Sequence, residues 1–421
     1  MNNKHPPKEN MARLSGLMDK WLEYFRGYCC ENDTLGRLLF HLLVGKVASN
    51  IQFKYANEDM GLRISVFVIQ PSGTGKGQSR KPVREVAKRL ELKYDECLEA
   101  SDAALAGTIC QEKKKGEVKI INGPLATADI IVFTEGESLL ARGTFNKNIY
   151  AILQGGLDEP GQINKKMALG EISYPTNTAF LITSYMVQEF HTALLEKGLL
   201  QRLIVVKRDF STEQRKRIEQ FILNSVHRDK IVIPGEFENA LKELKKLGEA
   251  KAFIEFDKAD FERFKGHYSE YTAKVTEGLD EKNKIVMESF LTRLILLVLK
   301  IACQSAIINE RRVVSLEDLD YALDLCKVHL ESIRQLLGQD AIIQSEFLGL
   351  FKEAIAKNQS KPGKVEAARY LVKHTKIGEH MGEKRAQEIL EELAEKGILK
   401  REKDPNSPNK IVFSLPDTPT L

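Results

Sequence analysis

Four apolar residues, Val66-Phe67-Val68-Ile69, run directly into Gln70-Pro71-Ser72-Gly73-Thr74-Gly75-Lys76-Gly77-Gln78, and a helix-compatible stretch follows. A buried strand fixes such a turn, glycines let backbone N–H groups approach phosphates, and the lysine neutralises their charge. The helix that follows adds its positive N-terminal end. Pro71, Ser72, Gly73, Thr74, Gly75, Lys76, Gly77 and Gln78 are therefore candidate nucleotide-binding residues. Two positions depart from the G-x-x-x-x-G-K-[ST] spacing. Gln70 stands where the first glycine is expected, and Gly77 where a Mg²⁺-holding hydroxyl is expected.

A chain of 421 residues, 43% hydrophobic, can bury a sizeable core and divide into two or three domains. The net charge of +4 excludes a polycation of histone type, so contacts to nucleic acid must come from local patches. Six scattered cysteines without C-x-x-C spacing read as reduced thiols. Met1 to Asn10 is polar and has no signal-peptide core, which predicts a soluble cytoplasmic protein. The most apolar run, Phe290 to Ile308, is broken by Arg293, Lys300 and Gln304 and reads as a buried helix with no membrane partner.

In chain order, residues 11–50 carry Leu35, Leu38, Leu39, Leu42 and Leu43 at helical spacing, with His41 a packed or solvated side chain. Pro82 to Ala100 reads as one amphipathic helix. Thr108 to Asn122 reads as a hairpin whose tip holds Lys113, Lys114 and Lys115, either a solvated turn or a loop aimed at a phosphate backbone. Ile130-Ile131-Val132-Phe133 is apolar enough for a strand buried on both faces. Acidic residues at its end lie where ligands bind in open α/β sheets. Glu135 can orient the water that attacks a γ-phosphate, while Thr134 stands where a metal-side aspartate is expected.

Gln162 to Tyr174 predicts a second hairpin, with Lys165 and Lys166 near its tip. A third buried run, Ala179 to Ser184, ends in hydroxyls and suits a polar sensor of the γ-phosphate. Arg202 precedes a fourth apolar strand, from which it can reach a neighbouring subunit's nucleotide. Residues 211–285 read as a charge-rich helical connection. Arg293, on a mostly buried helix, is either a phosphate sensor or a snorkelling side chain. The next helix is expected from Leu316 to Leu337, with a boundary near Gly338 to Ala341. Three helical patterns and a two-stranded wing then describe a winged helix, with the apolar stripe Ala386, Ile389, Leu390 and Leu393 on its third helix. Lys384, Arg385, Lys400 and Arg401 suit backbone phosphates, although the charge balance suits a protein-docking domain nearly as well.

The order of these pieces resembles the AAA+ ATPases, and within them the minichromosome-maintenance (MCM) helicases and their mobile-element relatives, over roughly residues 60–335. The resemblance rests on Pro71 to Lys76, on Thr134-Glu135-Gly136-Glu137, and on Lys166 ahead of the sensor strand. Ser184, or Thr183, stands in place of the sensor asparagine; Leu199-Leu200-Gln201-Arg202 is similar to an arginine-finger motif, and Thr292-Arg293 with Lys300-Ile301-Ala302 to a second sensor helix. The large N-terminal DNA-clamping domain of cellular relatives is not expected, because about 60 residues precede the P-loop strand.

The resemblance implies an α/β fold: an AAA+ P-loop parallel sheet flanked by helices, a helical lid and a C-terminal winged helix. The corresponding divisions are an N-terminal helical segment (1–60), the ATPase core (61–210), a connecting and lid region (211–337) and the winged helix (341–421). It implies ATP and Mg²⁺ as cofactors, with Glu135 and Glu137, or Thr74 and Ser79, as metal-side groups. Catalysis would fall to Lys76, Glu135, Arg202 and Arg293, and contact with single-stranded or forked DNA to Lys165, Lys166 and Lys113 to Lys115. A homo-hexameric DNA helicase of a plasmid, virus or integrated element is the expectation, with a primase as a conceivable partner. The alternatives are an initiator or helicase loader, and a nucleotide-gated DNA-binding protein that does not hydrolyse.

Overall fold

A computed structural model describes residues 11–97, 101–111, 118–136, 147–185, 198–225, 231–249, 252–277, 279, 281–357, 372–373, 383–395, 398–404 and 407–414. It divides into two compact units, Met1–Arg334 and Gln335–Leu421.

The first unit is α/β, built on a five-stranded parallel sheet flanked by helices. Its strands are β1 (Val66–Ile69), β2 (Tyr94–Cys97), β3 (Ile130–Phe133), β4 (Ala179–Ser184) and β5 (Ile204–Lys207), in the order β5-β1-β4-β3-β2. Every residue of β1, β3, β4 and β5 is buried, as expected of apolar runs covered on both faces. The register aligns Ile69 with Ser184 and with Lys207, and Ile182 with Phe133. The carboxyl ends of the strands therefore share one edge. The chain leaves β1 for the far side of the sheet and returns through β3 and β4, so β1 lies at the switch point where such sheets bind ligands.

Strand β2 corrects the sequence expectation of one helix over Pro82 to Ala100. The helix is Lys76–Arg89; Glu91 turns the chain with a φ of 56°, and Tyr94–Cys97 pairs with β3. Its polar Tyr-Asp-Glu-Cys sequence is tolerated because it forms the half-exposed edge, where pairing outweighs intrinsic propensity. At the opposite edge, β5 has its outward N–H groups closed by side chains of the helix Leu316–Lys357. Val205 N–H donates to His329 Nδ1 (3.0 Å) and Lys207 N–H to Ser332 Oγ (2.8 Å). Alternate strand residues and an i,i+3 pair on the helix meet, which removes an edge open to aggregation.

The helices Ala12–Arg26 and Asp33–Val47 match the early helical pattern, and every residue of the second but Asp33, Thr34 and Arg37 is buried. His41 is fully buried; its Nδ1 lies 2.7 Å from Gln304 Oε1 and its Nε2 2.8 Å from Tyr321 Oη. Residues 52–61 are not helical. Gln52–Tyr55 and Glu58–Gly61 form a hairpin, and Gln52–Tyr55 pairs in parallel with Phe253–Phe256, itself paired with Val313–Val314. Each piece is too short for its period to stand out, and the hairpin meets Phe253–Phe256 only across some 200 residues of sequence. The Phe290 to Ile308 run lies in the helix Glu281–Ile308, which is buried from Leu297 to its end, and no described helix is long and apolar enough to cross a membrane.

Two antiparallel hairpins project from this unit, Gly107–Gln111 with Val118–Asn122 and Gly161–Met167 with Gly170–Thr176. In the second unit, the end of the helix Leu316–Lys357, the helix Glu383–Glu395 and the hairpin Lys400–Asp404/Ser407–Ser414 enclose Phe347, Phe351, Leu399 and Phe413. The stripe Ala386, Ile389, Leu390 and Leu393 is buried among them. The helix from Leu316 extends to Lys357, twenty residues beyond its expected end at Leu337; no Gly-Pro break ends it, and Gly338 alone is a tolerable cost.

Candidate nucleotide site

The turn after β1 has the shape its glycines permit. Gly73 and Gly75 adopt φ values of 74° and 86°, where a Cβ would be strained, and Gly75 caps the helix Lys76–Arg89. Thr74 Oγ donates to the Pro71 carbonyl (2.6 Å) and Ser79 Oγ to the Lys76 carbonyl (2.7 Å). Gln70, in place of the first glycine, is fully buried and braces the loop. Its Nε2 donates to the Thr74 carbonyl (3.3 Å) and its Oε1 accepts from Asn32 Nδ2 (3.1 Å). Asn32 Oδ1 in turn accepts from Arg208 Nη1 (3.0 Å).

A cavity of about 650 Å³ opens above this turn, within the range that small-molecule ligands occupy. Ser72, Gly73, Gly75, Lys76, Gly77 and Gln78 line it, as do Arg80 and Glu96, and Thr134, Glu135, Thr183, Tyr185 and Ile222 complete the wall. Lys76 and Glu135 thus face one space although 59 residues separate them. The chain beyond β3 is held against β4 by Gly136 N–H donating to the Thr183 carbonyl (2.8 Å), and Thr134 N–H donates to the Cys97 carbonyl (3.1 Å). Lys76 Nζ stands 2.9 Å from the ring centroid of Tyr185, a cation–π contact.

The remaining sequence-predicted residues fall in several places. Ser184 is buried and does not line the cavity; strand alternation presents Thr183 and Tyr185 instead. Thr183 Oγ donates to the Phe133 and Thr134 carbonyls (3.2 and 3.1 Å). Pro71 lines neither cavity, and Thr74 faces a second one. Arg202 and Arg293 are neighbours outside the cavity. Arg202 Nε donates to Asp158 Oδ1 (2.5 Å) and Nη1 to the Gly198 carbonyl (2.7 Å). Arg293 is exposed, its pKa held below the usual arginine value by partial burial first and by the like charge of Arg202 second. Lys300 points inward and pairs with Glu159 (2.8 Å), which also meets Arg63 (3.3 Å).

On the hairpin Gly161–Met167/Gly170–Thr176, Lys165 turns inward to Asp102 (3.3 Å) and to the Gly107 carbonyl (3.2 Å), whereas Lys166 is exposed opposite Glu171. Lys400 and Arg401 are exposed on a strand of the second unit. Lys384 and Arg385 begin the helix Glu383–Glu395. Lys113, Lys114, Lys115 and Glu137 lie outside the described residues.

Sequence reasoning missed Arg80, Glu96 and Tyr185, and a second cavity of about 310 Å³ beside the turn. Tyr28, Cys29, Cys30, Ile218, Phe221 and Ile222 line that cavity together with Thr74, Gly75 and Gln78. The thiol of Cys29 lies 3.7 Å from the Gly75 carbonyl oxygen, and burial pushes its pKa up to about 12, so it packs rather than reacts. Arg80 carried one legible signal: it follows Lys76 by four residues, one helical turn along the same face. No protein-family model matches the chain, and no curated protein matches it.

Proposed function

We propose that this chain is an ATP-driven DNA motor of the AAA+ class, a ring-forming helicase whose nucleotide sites are shared between subunits. One observation carries the reading: a glycine cradle, Lys76 and Glu135 converge on a single cavity at the carboxyl edge of a parallel sheet. Backbone N–H groups of the turn and Lys76 hold the phosphates, and Glu135 orients the attacking water. The adjoining apolar cavity takes the base against Tyr28 and Phe221. Arg202, which pairs with Asp158, and Arg293 do not line their own subunit's cavity, which is compatible with cations supplied to a neighbour. The helices after β5 act as the lid, the second unit as a winged helix, and Lys166 rides on DNA phosphates.

Magnesium, which the resemblance implies, is poorly served by the described residues. Gly77 has no hydroxyl, Thr134 no carboxylate, and neither Thr74 nor Ser79 lines the cavity, so Glu135 is the one expected metal-side group among the described residues that does. This favours a second reading, nucleotide-gated DNA binding without turnover. Phosphate release and strand displacement on a forked substrate test both. The motor shows each activity, and both fall to background in Lys76→Ala; binding of ATP without phosphate release leaves the second reading.

A further inference from the structure

The cavity holds a cation that the nucleotide reading has not used. Arg80 lies on the helix Lys76–Arg89 with its side chain largely buried, and it lines the phosphate end of the cavity. Its Nε and Nη1 are shielded from solvent and make no hydrogen bond among the described residues. Nη1 lies 3.7 Å from Glu96 Oε2, close enough to attract but too far to bond. Buried guanidinium N–H groups left without acceptors are costly, so the site is complete only when an acceptor enters it.

The position of this group is informative. A Cβ built at Gly77 would lie 3.5 Å from Arg80 Nη2. Gly77 is where a P-loop ordinarily carries the hydroxyl that holds magnesium. The guanidinium therefore stands where a side chain at position 77 would reach. Across the cavity, Thr134 replaces the second metal-side group; its Oγ is buried and likewise makes no hydrogen bond among the described residues. Both ordinary metal-holding groups are absent together, and a fixed positive charge stands beside position 77.

We infer that Arg80 takes the place of the divalent cation, so that the site binds a nucleoside triphosphate without metal. This rests on the reading of the cavity as a triphosphate site. The planar guanidinium donates two N–H groups to oxygens of adjacent phosphates, a geometry lysine cannot supply. Lys76 stands one helical turn away, and the helix N-terminus adds its partial positive charge. Glu96, on edge strand β2, keeps the guanidinium aimed into the cavity while no phosphate is bound.

The test is calorimetric titration of the full-length chain with a non-hydrolysable ATP analogue, in excess EDTA and in millimolar magnesium. The wild-type affinity should agree between the two buffers within about threefold. Arg80→Ala should weaken binding in EDTA on the order of 30-fold, the size of a charge-assisted hydrogen bond. Arg80→Lys should recover only part of it, and both variants should retain the far-ultraviolet circular dichroism of the wild type. Wild-type binding that collapses in EDTA, or an Arg80→Ala variant that folds and binds normally there, overturns the inference and leaves the nucleotide site standing. Absence of binding in either buffer overturns both.

Discussion

Replacing His329 by asparagine should remove a defined part of the acid sensitivity of the first unit. His329 is fully buried, and its Nδ1 accepts the N–H of Val205, so that nitrogen cannot carry a proton without breaking the bond that closes β5. Burial holds its pKa down to about 3, against 6.5 for an exposed histidine. The sign follows from linkage: between these values the unfolded chain binds a proton that the folded chain refuses. Stability is full above pH 6.5 and declines as pH falls towards 3. At pH 5 the loss is 1.5 units below 6.5, or about 2 kcal/mol at 1.36 kcal/mol per unit. An asparagine can accept the Val205 N–H but does not titrate. The single tryptophan, Trp21, is fully buried in this unit and reports its unfolding in urea. Between pH 7 and 5 the wild type should lose about 2 kcal/mol more than His329→Asn, whatever their difference at pH 7. Equal losses would refute the assignment. His41, pushed down to about 4 by burial, titrates in both proteins and cancels in the comparison.

Other consequences follow from the same packing. Glu159→Ala leaves the buried cations Arg63 and Lys300 without their shared carboxylate, and should cost about 3–5 kcal/mol in the Trp21 urea transition. Gln70→Ala removes the brace between the turn and Asn32; it should weaken binding of the ATP analogue about tenfold and, by leaving the buried Asn32 amide without its acceptor, cost about 1–3 kcal/mol in the Trp21 urea transition.

The sheet was legible where its strands are buried on both faces. Val66 to Ile69, Ile130 to Phe133, Ala179 to Ser184 and the run after Arg202 announce themselves as uninterrupted apolar segments. Edge strand β2 did not, because an exposed edge is free to carry Asp95 and Glu96 and then reads as helix surface. The hairpin at 52–61 was equally hidden, since its pairing partner, Phe253–Phe256, lies far along the chain. In the cavity, Lys76 and Glu135 were recoverable from spacing because each follows a buried strand. Glu96 and Tyr185 became visible only in three dimensions, since an unrecognised strand and strand alternation place them there, and Arg80 was signalled only by its one-turn spacing from Lys76. Arg202 illustrates the converse: its position before β5 was readable, while its contact with Asp158 required the folded chain.

The proposed sharing of each nucleotide site between subunits is tested most directly by mixing two inactive variants. Lys76→Ala lacks the phosphate cradle's cation and Arg202→Ala the cation offered to a neighbour, so each alone should release no phosphate from ATP. In randomly mixed rings, about a quarter of the head-to-tail interfaces join an intact cradle to an intact arginine. Mixing equal amounts should restore phosphate release to about a quarter of the wild-type rate per subunit, if interfaces act independently. A mixture as inactive as its components would contradict the account.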